Sequence, residues 1–93
     1  MYDITFLAGA ERELRGLAEH IRREVLDEIR SLREDPVPHY AEPLRRWRNR
    51  YRIHIDFYRA PVWARIIYSV NERSRTIRIE RIRARGTAYR GLQ

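Results

Sequence analysis

Tyr2, Ile4 and Phe6 alternate with Asp3 and Thr5, the two-residue period of a strand with one buried face, and the pattern fades near Gly9. From Ala10 the period lengthens. Leu14, Leu17, Ile21, Val25, Ile29 and Leu32 recur at steps of three and four, with arginine and glutamate between them, which predicts an amphipathic helical region. Neither glycine nor proline between Leu17 and Ile21 decides between one long helix and two helices with a sharp bend. Asp35-Pro36 closes the region, because the residue before a proline avoids helical geometry. The prolines at 36, 38 and 43 then predict an ordered loop or extended link over 37–43, without regular pairing.

The second half reads as strands. Tyr51, Ile53, Ile55 and Phe57 alternate with Arg52, His54, Asp56 and Tyr58, so one face is apolar and the other chemically varied. Ala60-Pro61 turns the chain into the run Pro61 to Val70, the most apolar stretch and one rich in β-branched and aromatic residues. Asn71-Glu72-Arg73-Ser74 is a second turn, leading to a strand from Thr76 to Ile82. These three strands form an antiparallel meander. Ile77 and Ile79 share one phase and Ile82 takes the other. Either a bulge near Glu80 or Arg81 returns Ile82 to the core and re-aims Arg81 and Arg83, or the strand loses its phase near its end. Trp47 and Trp63 offer rings for stacking on RNA, but aromatic residues at strand spacing are more often core, so both are left out of the candidate site. The expected fold class is α+β: a two-layer sandwich with the N-terminal strand and helices packed on a mainly antiparallel four-stranded sheet.

Ninety-three residues allow one domain with a modest core. The absence of cysteine excludes disulfides and thiolate metal sites and suits a reducing compartment. No apolar run approaches the roughly 18 residues of a membrane span, and the first residues lack the basic flank of a leader, so a soluble, unprocessed, cytoplasmic protein is expected. Charge adds more. All 20 basic residues are arginine, and residues 1–43 carry 6 of them against 10 acids, a net of −4. Residues 44–93 carry 14 against 3, a net of +11. Arginine makes planar, two-pronged contacts with phosphate and stacks on bases, so this half points to nucleic acid or an acidic protein.

Arg65 lies in the middle of the most apolar strand, where a charge costs several kcal/mol unless it is paired or given a ligand. Asp56 and Glu80 offer an ion pair across strands. The alternative is a phosphate ligand shared with Arg52, Arg81, Arg83 and Arg85 on one sheet face. His54, on the polar face of its strand, supplies an imidazole that is either a proton carrier or merely solvated. His20 and His39 have no partners at metal-ligand spacing and read as structural. No cofactor or metal is called for.

Taken in order, Tyr2-Asp-Ile-Thr-Phe6, the amphipathic region to Pro36, Pro43-Leu44, Tyr51-Arg-Ile53, Ala64-Arg-Ile-Ile-Tyr-Ser-Val70 and Arg85-Gly-Thr-Ala-Tyr89 resemble the toxins of bacterial type II toxin–antitoxin modules in the RelE/ParE superfamily. The resemblance spans almost the whole chain and implies two antiparallel helices meeting near Ala18 to His20. Members similar to RelE cut messenger RNA on the ribosome, through attack of a ribose 2′-hydroxyl on the adjacent phosphorus. Members similar to ParE poison DNA gyrase without nuclease chemistry. Both functions stay open at this point, and both imply a cognate antitoxin.

Under the nuclease reading Arg65 matches the arginine that RelE-like toxins hold against the scissile phosphate. Arg52 and His54 fall where RelE has two lysines, so one position keeps its charge and the other becomes titratable. Arg83, Arg85 and Tyr89 resemble the RelE tail, in which a tyrosine stacks on a base or assists proton transfer. Glu42 in Glu-Pro-Leu resembles the general base of YoeB-like members. Arginine stays protonated in proteins, so proton transfer falls to His54, Glu42 or Tyr89. Arg50, Arg52 and Arg81 are expected to position RNA. Under the gyrase reading the same basic face meets a protein.

Overall fold

The computed structural model describes residues 1–57 and 63–85. Its elements are β1 (Asp3–Phe6), α1 (Ala8–Arg15), α2 (Glu19–Ser31), β2 (Glu42–Pro43), β3 (Arg50–Asp56), β4 (Trp63–Asn71) and β5 (Thr76–Arg85). The helical region is broken in two. Gly16 ends α1 with its N–H directed to the Arg12 carbonyl at 3.1 Å, and Leu17, wholly buried, pins the chain to the core at the break. Ala18 is extended, and α2 starts behind it. The break thus spans Gly16 to Ala18, slightly earlier than the resemblance implied.

The sheet runs β1-β5-β4-β3-β2. β1 lies parallel to β5 and the remaining pairs are antiparallel. Five strands replace the expected four, because Glu42 and Pro43 pair with Arg52 and Tyr51 instead of standing in an unpaired link. Proline is tolerated there because β2 is an edge, where a missing N–H breaks no inner ladder. The linker before it is held by Tyr68, wholly buried in β4, whose hydroxyl donates to the Pro36 carbonyl at 2.7 Å. Burial pushes that phenol well above its usual range. Tyr40 adds a second tie, donating to Glu28 at 2.7 Å; that bond, helped by burial, pushes its hydroxyl up to about 12.

One apolar cluster joins the layers. Ala10, Leu14, Leu17, Ile21, Val25, Ile29 and Leu32 from the helical side meet Ile53, Ala64, Ile66, Tyr68, Val70, Ile77, Ile79 and Ile82 from the sheet. Ile82 joins because of a bulge in β5: Ile67 opposes Arg81 and Tyr68 opposes Ile79, which leaves Glu80 as the extra residue. Of the two readings of that phase slip, the bulge is the one present. β1 ends at Phe6, so beyond Ile79 the outer edge of β5 needs another acceptor. Glu13 of α1 supplies it, taking the Ile82 N–H at 2.8 Å. No helix is long and apolar enough to cross a membrane, among the described residues. The turn expected at Ala60-Pro61 and the tail from Gly86 onward, including Tyr89, lie outside the described residues.

Candidate nucleic-acid interface

The sheet face turned away from the helices is built by strand alternation. While Ala64, Ile66, Tyr68 and Val70 point into the core, Trp63, Arg65, Ile67 and Ser69 take the opposite face of β4. Cross-strand register then sets their neighbours. Asp56, Trp63 and Arg85 share one row across β3, β4 and β5; His54, Arg65 and Arg83 share the next. Further along come Arg52, Ile67 and Arg81, with Glu42 of β2 beside Arg52, and then Arg50, Ser69 and Arg78. Every basic residue singled out in the sequence within the described region stands on this face.

These residues divide into two groups. At the Arg50 end each guanidinium has an acid. Glu80, 7% exposed, takes Arg50 at 2.7 Å and Arg78 at 3.1 Å. Burial alone raises its carboxyl, but donation from Arg50, Ser69 and Arg78 outweighs burial and holds it below the usual glutamate range. Arg52 places its Nε and Nη2 on one Glu42 oxygen at 3.1 and 2.9 Å. Arg81 is taken by Glu13 at 3.2 Å. Arg50, Arg52 and Arg81, all expected to position RNA, thus also serve as internal counter-ions.

At the other end the charge is open. No carboxylate pairs with Arg65, Arg83 or Arg85 among the described residues, and the Arg65 Nε is buried without a hydrogen-bond partner. The expected alternatives for Arg65 are both engaged elsewhere: Glu80 by Arg50 and Arg78, Asp56 by His54. What Arg65 has is an aromatic ring, its guanidinium carbon lying 5.0 Å from the centre of Trp63. A cation on a ring face is favourable but uses none of the guanidinium's hydrogen-bonding capacity.

Trp63 also orients the histidine. The His54 ring stacks on it at 5.6 Å and 29°, and His54 Nε2 lies 2.9 Å from an Asp56 oxygen. When Nε2 carries the proton toward the Asp56 carboxylate, Nδ1 is the acceptor of the neutral ring and the atom open to a substrate proton. Glu42 stands differently. It is two strands from β4, exposed, and bound to Arg52. Tyr89 lies outside the described residues. His20, second residue of α2, is exposed, and His39 packs edge-on against Tyr40.

No family model matches the sequence, and no curated protein aligns with it significantly. Solved structures do match. The isolated E. coli RelE toxin superposes with a TM-score of 0.75 at 21% identity, over 98% of this chain and 88% of that one. The fold of this chain is RelE-like. The RelE-like fold is matched as well in the intact E. coli RelBE toxin–antitoxin complex, with a TM-score of 0.73 at 21% identity over 97% of this chain and 100% of that one. A toxin–antitoxin RelBE complex from Mycobacterium tuberculosis gives 0.71 at 24% identity, over 90% and 98%.

On this RelE-like fold the sequence reading missed three contributors. Trp63 is half-buried on the open face, between His54 and Arg65, and is not a core residue. Its phase, shared with Arg65 and opposite to Ala64 and Ile66, was the available signal. Asp56 was considered only for Arg65, although its place two residues after His54 puts both on one strand face. Trp47 is likewise not core: it is 54% exposed in the loop between β2 and β3.

Proposed function

We propose that this protein is the toxin of a type II toxin–antitoxin module and cuts messenger RNA on the ribosome. The observation that carries the reading is the juxtaposition of Arg65, which has no carboxylate partner among the described residues, with an aspartate-oriented His54 in the same cross-strand row. A 2′-hydroxyl nucleophile has to lose a proton while charge builds on the phosphorus, and this row offers a group for each need. His54 Nδ1 takes the 2′-hydroxyl proton. The 2′-oxygen bonds to phosphorus and the bond to the 5′-oxygen breaks, leaving a 2′,3′-cyclic phosphate and a 5′-hydroxyl. Arg65 donates to the phosphorane oxygens, and Arg83 and Arg85 hold adjacent phosphates. Tyr89 is assigned the proton of the leaving 5′-oxygen.

His54 is favoured over Glu42 as base because Glu42 is bound to Arg52 and stands two strands from Arg65. A cognate antitoxin belongs to the same proposal, since two of the similar structures are toxin–antitoxin complexes. The test is a translation reaction with purified ribosomes and added protein. Cut message with 5′-hydroxyl ends is expected. Intact message at high protein concentration, with DNA supercoiling by gyrase stalled in a parallel reaction, overturns the reading in favour of a gyrase poison.

A further inference from the structure

The loop between β2 and β3 carries Arg45, Arg46, Trp47 and Arg48, with no acid among them and no ion pair to these arginines among the described residues. Its shape is fixed. Leu44 N–H donates to the Arg50 carbonyl at 2.9 Å, Trp47 N–H to the Leu44 carbonyl at 3.1 Å, and Asn49 takes the left-handed conformation, φ 59°, that asparagine tolerates. The Arg50 guanidinium, itself anchored by Glu80, lies 5.0 Å from the centre of the Trp47 ring. One face of the indole is therefore covered by a fixed cation, while the residue as a whole remains 54% exposed. Behind it a cleft of about 400 Å³ is lined by Leu7, Leu44, Trp47 and Ile67 together with Arg50, Arg78, Arg81 and the Glu80 carboxylate that compensates two of them.

An exposed, positioned indole on a loop whose three arginines have no ion pair among the described residues fits a flat, apolar group on a polyanion, and an unpaired nucleobase is such a group. The loop is continuous with the face that carries Arg65. Along β3 the Arg50 row lies four residues from the His54 row, about 13 Å at the usual rise of a strand. We propose that Trp47 and the cleft behind it form a stacking subsite for a base of the message strand, displaced from the phosphate held at Arg65. The inference rests on the RNA-cleaving reading and adds a second point of hold, one that takes a base where the arginines take phosphate.

Fluorescence of the Trp63→Phe variant reports Trp47 alone, since the chain has two tryptophans. Short 2′-O-methyl oligoribonucleotides, which resist cleavage, are titrated against the same oligomers carrying one abasic position walked along the strand. Quenching is expected, with affinity lower by about ten-fold for one abasic position and by a similar factor for Trp47→Ala in wild-type background. Trp47→Phe should restore most of the loss, and the salt dependence should stay unchanged because no phosphate contact is removed. Equal quenching by every abasic oligomer overturns the inference, as does unchanged affinity of Trp47→Ala or preference for an acidic peptide over RNA. Binding and ribosomal cleavage are separate readouts: intact cleavage without quenching sinks only the subsite, and quenching without cleavage sinks only the nuclease.

Discussion

The two ends of the open sheet face contain the same residue type and use it in opposite ways. Around Glu80 the arginines are bound to acids, and the bulge that makes Glu80 the extra residue of β5 also brings Ile82 into the core. Around Arg65 the arginines have no acid among the described residues, and the Trp63 ring, itself stacked on His54, lies against the Arg65 guanidinium in place of a counter-ion. A guanidinium bound to a carboxylate has its charge largely compensated and fewer of its five N–H donors left for a phosphate. At the Arg65 end the guanidinium has no such competitor for a phosphate among the described residues. Basic composition therefore overstates the binding surface, and the count that matters is of arginines left unmatched.

If that division is correct, damage at the two ends should appear in different measurements. His54→Ala should lower cleavage most steeply, by roughly 100- to 10,000-fold, the usual worth of a general base, with melting temperature little changed. Asp56→Asn should do less and should alter the pH profile of cleavage, because it changes the tautomer that His54 presents without removing the ring. Unchanged rate and profile in both variants would detach the row from chemistry.

At the other end, Glu80→Ala should cost about 1–3 kcal/mol, seen as a lower midpoint in chemical unfolding, because it leaves Arg50 and Arg78 uncompensated. The same network gives a pH dependence. Its folded-state carboxyl sits below the ordinary value of 4.5, so its contribution is complete above that value and is lost as pH falls through the folded-state value. Unfolding midpoints measured along that acid limb should fall less for Glu80→Ala than for the wild type. The smallest effect belongs to Glu42→Gln. Its exposed pair with Arg52 is worth under about 1 kcal/mol, and cleavage should stay near wild type. A steep loss there would transfer the role of base from His54 to Glu42.

The sequence reveals much of this because the strands obey a period of two. Arg65 stands out as a charge in an apolar run, and the phase slip between Ile79 and Ile82 leaves a bulge as one of two readings. The helical break was less legible, since it depends on where buried Leu17 meets the sheet. β2 was hidden by Pro43 and the two prolines of the linker before it, because a proline argues against a strand and is harmless only at an edge. Partner choice was illegible: Glu13, far from β5 in the chain, takes Arg81 through a docking of α1 that no local pattern encodes. The tryptophans were misread because aromatic residues near strands are usually core, and phase, not composition, placed Trp63 outward.

The central claim is that unmatched arginine, not arginine as such, makes the functional face. Arg65→Ala and Arg78→Ala, each removing one guanidinium from the same face, should be compared for cut message in one ribosomal translation assay. The account predicts a loss of about 100- to 1000-fold for Arg65→Ala and near wild-type cutting by Arg78→Ala. Equal losses in the two variants, or no loss in Arg65→Ala, would contradict it.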